Sequence, residues 1–277
     1  MLTMTRSRLP ANFTGYSPAE PSATRGAGRS WWDANAREYL ADHGEFLAET
    51  KFVWCPEGLT EPEAALLGTV TELIGKDVLE VGCGAAQCSR WLTANGVRAV
   101  ALDISQAMLD EASAMNRSAQ IEVPLVLGDA RELPFAEASF DHAFTAYGAL
   151  PFVAELNQVF LEISRVLRPG GRWVFSVTHP VRWAFPDAPG ESGLTVSKSY
   201  FDRDPYVETS ARGEVTYAEY HRTIGDYVRA LTRTGFTLLD IVEPEWPEDN
   251  DNVWGGWSPL RGRVIPGTAI FVARRSA

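Results

Sequence analysis

From residue 77 onward, apolar residues along the chain follow two alternating periods. Short runs rich in Val, Leu, Ile and Phe predict strands, and the longer amphipathic segments between them predict helices. This alternation is typical of a parallel sheet with crossover helices. The predicted strands span residues 77–82, 98–103, 122–128, 139–146, 171–178, 236–242 and 267–273. The predicted helices span about residues 86–95, 105–117, 152–168 and 223–234.

The last two predicted strands have no segment of helical length between them, so we expect the final strand to be antiparallel. The predicted fold is therefore α/β: a doubly wound, seven-stranded, mostly parallel sheet whose last strand is antiparallel. Two segments, 179–222 and 243–266, do not follow the alternation and are longer than ordinary connections. We expect residues 179–222 to form a lid over a substrate.

The residues ahead of the sheet divide into two parts. Residues 1–30 are rich in Pro, Gly, Ser, Thr and Arg without a hydrophobic period, which predicts a flexible tail. From Trp31 the pattern becomes helical, and a second apolar stripe runs from Glu61 to Ile74. Residues 31–75 are therefore predicted to form a helical cover, within a single domain of residues 31–277.

Composition and charge narrow the possible partners. The chain has 25 Lys and Arg against 36 Asp and Glu, a net charge of −11, which argues against nucleic acid as a partner. Three cysteines are too few for a disulfide framework or a four-ligand zinc site, so we expect no metal. Because no apolar run reaches about 18 residues and no signal-peptide pattern is present, we expect a cytoplasmic protein without a membrane partner.

A glycine-containing turn follows the first predicted strand of the sheet. Glu80 and Val81 lead into Gly82-Cys83-Gly84, ahead of a predicted helix. Glycines at these positions permit a tight turn and let a ligand approach the backbone closely. A purely structural turn remains the alternative.

Acidic residues end the next two predicted strands. Asp103 lies 19 residues after Gly84 (103 − 84), close to the ~20-residue spacing of a carboxylate that binds a ribose; the alternative role is a helix N-cap. Asp129 could accept a hydrogen bond from an exocyclic amine such as that of adenine. Together the three strand ends predict a single site for an adenosine-type ligand.

Five stretches in chain order carry a more specific pattern: VLEVGCG at 78–84, ALDIS at 101–105, GDARELPF at 128–135, SFDHAF at 139–144 and ISRVLRPGGRWVFSV at 163–177. Together they resemble the class I S-adenosylmethionine-dependent methyltransferases, in the small-molecule branch that includes the type 11 (UbiE-like) enzymes. The resemblance covers residues 77–178 closely and 31–273 loosely. It implies a Rossmann-like methyltransferase fold, S-adenosylmethionine as cofactor and a small-molecule methyl acceptor.

The resemblance also implies roles for individual residues. Asp103 would hold the ribose hydroxyls, Asp129 the adenine amine, and Tyr39 would cover the cofactor. Position 86 departs from the family, which commonly has Gly there, because this chain has Ala86. The implied cofactor-binding residues are Tyr39, Glu80, Gly82, Cys83, Gly84, Asp103, Ile104, Met108, Asp129, Ala130, Ala146 and Tyr147.

Two other classes of enzyme with a similar glycine turn, dinucleotide-binding enzymes and nucleic-acid methyltransferases, fit the sequence less well. The third glycine of the dinucleotide fingerprint is absent, because position 87 is Gln. The Pro-Pro-aromatic motif with which many nucleic-acid methyltransferases hold a flipped base is absent after the fourth predicted strand, where residues 146–151 read AYGALP. The first observation disfavours a dinucleotide-dependent enzyme, and the second, together with the acidity of the chain, favours a small-molecule acceptor.

Methyl transfer is an in-line displacement, so alignment of the reactants is a large part of the predicted catalysis. His179 follows the fifth predicted strand and is the candidate general base; its alternative role is to cap the strand or orient the loop. Aromatic residues of the predicted lid, Trp183, Tyr200 and Tyr206, are candidate substrate-binding residues. Their alternative role is to form a core within the lid itself.

The sequence thus predicts methylation of a small organic acceptor, first at oxygen, with carbon or nitrogen as alternatives. Methylation of a protein or RNA, and a non-catalytic S-adenosylmethionine-binding regulatory protein, are the other hypotheses.

Overall fold

The computed structural model describes residues 9–277, which contain a seven-stranded sheet and a three-stranded sheet. The strands are β1 (Thr14–Tyr16), β2 (Asp77–Val81), β3 (Arg98–Asp103), β4 (Leu125–Leu127), β5 (Phe140–Thr145), β6 (Leu167–Thr178), β7 (Tyr206–Thr209), β8 (Val215–Glu219), β9 (Phe236–Val242) and β10 (Thr268–Arg275). The α-helices are α1 (Pro21–Thr24), α2 (Ala27–Leu47), α3 (Glu61–Ala64), α4 (Val70–Leu73), α5 (Gln87–Ala94), α6 (Gln106–Ala119), α7 (Leu156–Val166), α8 (Ile224–Arg233) and α9 (Pro259–Gly262).

The larger sheet has the strand order β4-β3-β2-β5-β6-β10-β9. Strand β2 pairs in parallel with both β3 and β5, and β10 pairs antiparallel with both β6 and β9. The prediction of a doubly wound, mostly parallel sheet with an antiparallel last strand is therefore confirmed. The chain adds β3 and β4 on one side of β2 and then β5 and β6 on its other side, so the strand order reverses between β2 and β5. Ligands of open α/β sheets bind at such a point, outside the carboxyl ends of the strands.

Both faces of the sheet are covered at its central strand β2. Val78 and Leu79 are neighbours in β2, so their side chains point to opposite faces, yet both are fully buried. Leu79 belongs to the same core cluster as Phe160 of α7, whereas Val78 belongs to a second cluster with Leu92 of α5. A strand buried on both sides in this way has little room for polar side chains before its end.

Part of the segment predicted as a flexible tail has regular secondary structure. Strand β1 pairs antiparallel with β7, and α2 begins at Ala27 rather than near Trp31. These elements depend on contacts with residues far away in the sequence, which a local hydrophobic period does not record. Residues 1–8 of the predicted tail lie outside the described residues.

The second apolar stripe of the predicted cover forms two short helices, α3 and α4, rather than one long helix. Between them, Ala65 has a φ of 48° and Gly68 a φ of 141°, values that interrupt a right-handed helix. The carboxylate of Glu61 organises the connection by accepting hydrogen bonds from the backbone N–H groups of Leu66 (3.0 Å) and Leu67 (2.8 Å). Burial raises the pKa of Glu61 to about 7.

The predicted lid, residues 179–222, contains β7 and β8, which complete the three-stranded sheet with β1. Tyr217 of β8 contacts Trp31 of α2 edge-to-face, with 5.3 Å between ring centroids. Helix α2 therefore lies between this small sheet and the larger one. Among residues 9–277, no helix is both long and apolar enough to cross a lipid bilayer.

Candidate active site

A cleft opens at the carboxyl ends of β2, β3 and β5 and under helix α2. Its empty volume is about 1180 Å³, part of it open to solvent. The cleft brings together eleven of the twelve predicted cofactor-binding residues: Tyr39, Gly82, Cys83, Gly84, Asp103, Ile104, Met108, Asp129, Ala130, Ala146 and Tyr147.

The two glycines of the turn after β2 have different surroundings. Both have a positive φ, 69° at Gly82 and 52° at Gly84, which disfavours any residue with a side chain. A Cβ at Gly82 would lie 2.5 Å from the Cβ of Ala149, whereas a Cβ at Gly84 would meet no protein atom within 4 Å. Packing thus requires glycine at position 82, and Gly84 leaves open space in the floor of the cleft.

Asp103 presents a fixed carboxylate to the cleft. Its Oδ2 accepts a hydrogen bond from the Gly84 N–H (2.8 Å) and its Oδ1 from the Ser105 N–H (2.9 Å). Each oxygen keeps a second lone pair, so the carboxylate can still accept bonds from two ligand hydroxyls. Burial raises the pKa of Asp103, and hydrogen bonds to its charged form oppose this rise. The N-cap of α6 is Ser105, whose Oγ accepts from the Met108 N–H, so Asp103 does not have the capping role.

Asp129 is held in an ion pair with Arg131. Arg131 donates from Nη2 to Oδ2 of Asp129 at 2.5 Å and from its backbone N–H to Oδ1 at 2.9 Å. Although partial burial favours the neutral acid, the bonds from Arg131 lower the pKa of Asp129. Arg131 also contacts Glu155, with 3.2 Å between Nη1 and Oε2. The carboxylate of Asp129 is therefore ionised and fixed at the edge of the cleft.

Helix α2 forms an aromatic roof. The Tyr39 ring packs edge-to-face on Trp32 at 5.2 Å, and Trp32 packs in the same way on Phe152 at 5.6 Å. The helix is anchored by Asp33, whose Oδ1 accepts from the Ser105 Oγ–H at 2.7 Å. Because Ser105 also caps α6, one hydroxyl connects the roof to the helix that follows β3.

Tyr147 lies at the far end of the cleft from Asp129 along the sheet edge, just after β5. Its φ of 58° is unusual for an aromatic residue and strains the backbone locally. The strained conformation is supported by Ser176, whose Oγ accepts from the Tyr147 N–H at 2.7 Å and donates to the Trp54 carbonyl at 2.7 Å. The Tyr147 ring contacts Trp254 at 5.7 Å and thereby forms one wall of the cleft.

The tyrosine hydroxyls and the cysteine thiol that line this part of the cleft, near Trp254, keep their protons at neutral pH. Burial raises the pKa of both Tyr39 and Tyr147. Burial also raises the pKa of the Cys55 thiol, which lines the same cleft. These groups can donate hydrogen bonds to a ligand but are poorly suited to accept its proton.

Glu80 is the one predicted cofactor-binding residue that does not line the cleft. Its Oε2 accepts hydrogen bonds from the Ser89 N–H (3.0 Å) and the Ser89 hydroxyl (2.5 Å), so it holds the start of α5 behind the glycine turn. Burial raises the pKa of Glu80 to about 8. The geometry therefore gives Glu80 a supporting position beneath the site.

His179, the candidate general base, does not line the cleft either. Its Nδ1 accepts from the Val181 N–H at 3.1 Å, and its Nε2 lies 2.8 Å from Oε1 of Glu243. Burial lowers the pKa of His179, so the neutral ring carries its proton on Nε2 and donates it to Glu243. The only nitrogen that could accept a proton is thus already bonded, which corresponds to the loop-orienting alternative.

The three candidate substrate-binding residues lie within the lid and do not line the cleft. Trp183 is buried against Tyr16 and His221, with ring centroids 6.2 Å and 5.5 Å away. The hydroxyl of Tyr200 accepts from the Ile224 N–H (3.0 Å), and the hydroxyl of Tyr206 donates to Glu208 (3.0 Å). Their surroundings match the alternative of a core within the lid.

Several lining residues were not predicted as site residues. Trp32 follows a three- and four-residue pattern with Tyr39 on one helix face, so the periodicity contained a signal for it. Trp254 lies in a turn-rich segment 107 residues after Tyr147 (254 − 147), and no local pattern connects the two. The unpredicted lining residues with the largest side chains are Arg25, Arg29, Trp32, Phe46, Arg131, Phe152 and Trp254.

Comparison with known proteins identifies this arrangement. A family model, the type 11 methyltransferase domain, matches residues 79–175. The demethylmenaquinone methyltransferase of Mycobacterium sp. (strain JLS) is 40% identical over 197 residues, which cover 69% of this chain and 77% of that protein. The malonyl-[acyl-carrier protein] O-methyltransferase of Serratia marcescens is 34% identical over 111 residues, 40% of this chain and 42% of that protein.

The chain spans less than half of the length of two curated relatives that it matches. Among solved structures, an S-adenosylmethionine-dependent methyltransferase from Mesorhizobium loti superimposes with a TM-score of 0.61 at 26% identity, over 80% of this chain and 100% of that one. The strand-end residues, the sheet order and these matches agree. The chain belongs to the class I S-adenosylmethionine-dependent methyltransferases and carries the type 11 methyltransferase domain.

Proposed function

We propose that this methyltransferase methylates an oxygen atom of a small organic acceptor that reaches the site already deprotonated, such as a carboxylate or an acidic phenol. The observation that carries the proposal is the character of the cleft beyond Ala146, where aromatic walls and protonated hydroxyls face the ligand space. An acceptor that has lost its proton needs no general base.

The floor of the cleft fits the cofactor. The open space above Gly84 admits a ligand against the backbone, and the lone pairs of Asp103 suit two vicinal hydroxyls. Ile104 and Met108, both apolar, also line the cleft. Bound S-adenosylmethionine supplies an electrophilic methyl group on a sulfonium centre.

The residues around the acceptor space act by positioning and by excluding water. Tyr39 and Tyr147 both contact Trp254, with ring centroids 6.0 Å and 5.7 Å apart, so the three rings enclose one chamber. Rings at these distances favour a flat or apolar acceptor body. The Tyr39 and Tyr147 hydroxyls are available to hold an acceptor oxygen. Such alignment accounts for a large part of the rate of a displacement reaction.

The names of the relatives support a small-molecule acceptor, and the Serratia protein is named for methylation at oxygen. Methylation at carbon or nitrogen is the competing possibility. A protein or RNA acceptor is disfavoured by the net charge of −11. A non-catalytic role would require a filled acceptor space, whereas this chamber is continuous with the cofactor cleft.

The test combines binding, turnover and product analysis. Calorimetry measures the affinity for S-adenosylhomocysteine, and a panel of carboxylic acids, phenols, amines and active-methylene compounds is screened for conversion of S-adenosylmethionine. Products made with a ¹³C-labelled methyl group are then assigned by NMR, since O-, N- and C-methyl carbons have distinct shifts. We expect O-methyl products. Exclusive N- or C-methyl products would contradict the oxygen assignment, and cofactor binding without turnover of any acceptor would favour the regulatory reading.

A further inference from the structure

A second, smaller pocket lies beside the turn that carries Trp254. It encloses about 240 Å³ of empty space, part of it open to solvent. Its lining residues come from the start of the lid and from the segment before β10: Arg182, Gly256, Trp257, Arg261, Gly262, Ile265, Pro266 and Gly267.

Three buried N–H groups around this pocket have no hydrogen-bond partner among residues 9–277. They are Nε of Arg182, Nε of Arg261 and Nε1 of Trp257. The three residues are only 7%, 3% and 8% exposed, respectively. A buried donor without a partner is destabilising, and more so in a charged group, so three of them around one space indicate that the space receives an acceptor.

The positive charge of Arg261 is incompletely compensated. Arg261 donates from Nη1 to the carbonyls of Gly256 (2.8 Å) and Ala188 (3.3 Å), which are neutral acceptors. Arg182 differs, because it forms an ion pair from Nη2 to Oδ1 of Asp187 at 2.5 Å, and although burial opposes it, the charges of Asp187 and Glu219 raise the pKa of Arg182. Burial lowers the pKa of Arg261, and the neighbouring charge of Arg182 lowers it further. The missing acceptor is therefore expected to be an anion.

One tryptophan separates this pocket from the acceptor chamber. The Trp257 ring contacts Tyr147 of the chamber at 5.4 Å, and the Arg182 guanidinium lies 5.5 Å from the centroid of the same ring. Trp254 and Trp257 are joined by backbone hydrogen bonds of 3.0 Å and 2.9 Å across a tight turn. The turn thus presents Trp254 to the cofactor cleft and Trp257 to the pocket.

We propose that the pocket behind Trp257 binds a carboxylate group, carried by the methyl acceptor or by a free small acid. A carboxylate has two oxygens with about four lone-pair sites, enough for three N–H donors, and pairs readily with guanidinium groups. The version in which the acceptor carries the carboxylate rests on the proposed function. The version with a free acid does not depend on it.

The first experiment tests the pocket without any turnover. The NMR linewidth of ¹³C-formate is followed as wild-type protein is added, with ¹³C-formamide as the neutral control at the same ionic strength. We expect broadening for formate only, at least tenfold weaker apparent binding in Arg261→Gln, and no change in Arg263→Gln. Arg263 is the matched control because it is exposed and two residues away. Equal broadening in wild type and Arg261→Gln, or none in wild type, would overturn the proposal.

Variants are first checked for S-adenosylhomocysteine binding, which a folded protein retains. If Arg261→Gln does not fold, Trp257→Phe keeps an aromatic side chain of smaller size and removes the Nε1–H donor. We then expect formate binding to weaken several-fold, and an unchanged linewidth response in this variant counts against the pocket.

The second experiment distinguishes the two sources of the carboxylate. Acceptors found by the screen are compared as matched pairs of free acid and carboxamide. Charged hydrogen bonds predict that the acid has a KM lower by about 10–100-fold, and that the preference disappears in Arg261→Gln but not in Arg263→Gln. Formate binding without an acid preference assigns the pocket to a free acid. If the protein turns over no acceptor, the proposed function is contradicted. The formate measurement still shows whether the pocket binds a carboxylate.

Discussion

The floor of the cofactor site at Gly84 gives the sharpest test of the binding geometry. In the substitution Gly84→Ala, the new methyl group would meet no protein atom within 4 Å, so any steric effect beyond backbone strain must come from the ligand. Gly82→Ala is a matched comparison, because the backbone has a similar positive φ but the methyl group would lie 2.5 Å from Cβ of Ala149.

The expected magnitudes differ between the two variants. A non-glycine residue in the left-handed region costs about 1–2 kcal/mol, partly offset by the lower entropy of the unfolded alanine chain. We therefore expect Gly84→Ala to lower the free energy of unfolding by about 1 kcal/mol. Gly82→Ala adds overpacking of about 1–3 kcal/mol, for a total of about 2–4 kcal/mol. For ligand binding the order reverses, and an overlap of about 1–3 kcal/mol should weaken S-adenosylhomocysteine binding to Gly84→Ala by about 10–100-fold.

Urea unfolding of the ligand-free proteins gives the stability difference, and calorimetry at a temperature where both variants are folded gives the Kd. Ala86 is an internal control for the strain, since this alanine already has a φ of 58° in the native chain. If Gly84→Ala binds S-adenosylhomocysteine with the wild-type Kd, the cofactor does not lie over Gly84 and the assignment of the floor is refuted.

Three further predictions concern single side chains. Asp103→Asn places an NH₂ group against one of two backbone N–H donors and removes the charge, so calorimetry should show S-adenosylhomocysteine binding at least tenfold weaker; an unchanged Kd would exclude Asp103 from the ribose site. Because the pKa of Glu80 rises from 4.5 to about 8 on folding, the native state binds more protons between these values and stability falls as pH rises through this window. Glu80→Gln should abolish this pH dependence, which amounts to a loss of about 4 kcal/mol at most in the free energy of unfolding between pH 5 and pH 8. If urea unfolding shows the same pH dependence of stability in the variant and in the wild type, the burial argument for Glu80 is contradicted. His179→Ala should cost about 1–2 kcal/mol of stability through the lost bonds to Val181 and Glu243 while turnover per folded molecule is kept; lost turnover with unchanged stability would instead restore the general-base hypothesis.

The sheet was predictable because its strands depend on short-range patterns. The observed bounds of β3 (98–103) and β9 (236–242) coincide with the predicted ones. The start of β6 was not predicted, since Leu167 pairs with Phe140 ahead of a register shift in a stretch that reads locally as the end of a helix. Such a shift depends on the neighbouring strand, so a periodicity within one segment does not contain it.

The cofactor half of the site was predictable for a related reason. Carboxyl ends of parallel strands meet at one edge of a sheet, so knowing where β2 and β3 end was enough to bring Gly84 and Asp103 together. Glu80 does not line the cleft, because its side chain bonds Ser89 instead. A residue one position before a strand end points to the other face, and sequence position alone does not fix which face carries the ligand.

The residues of the proposed acceptor chamber could not be predicted, because both long segments, 179–222 and 243–266, contain aromatic residues of similar type. Composition alone gave no reason to prefer Trp254 to Trp183. In the folded chain Trp183 is buried beside Tyr16 of the small sheet, while Trp254 reaches the cleft. The strand that carries Tyr16, β1, pairs with β7 of the lid, and no pattern within the lid itself indicates this pairing.

The acceptor chamber therefore depends on contacts between segments that are distant in sequence. His43 of α2 stacks on Trp254 with ring centroids 3.8 Å apart and planes within 7° of parallel, which joins the roof to the turn before β10. Burial lowers the pKa of His43, so near neutral pH the stack contains the uncharged imidazole. Trp254 in turn contacts Tyr147, whose strained backbone is set by Ser176 of β6. Since α2, this turn and β5 each supply one wall, acceptor choice should follow substitutions in α2 and in residues 251–257 more closely than substitutions in the lid.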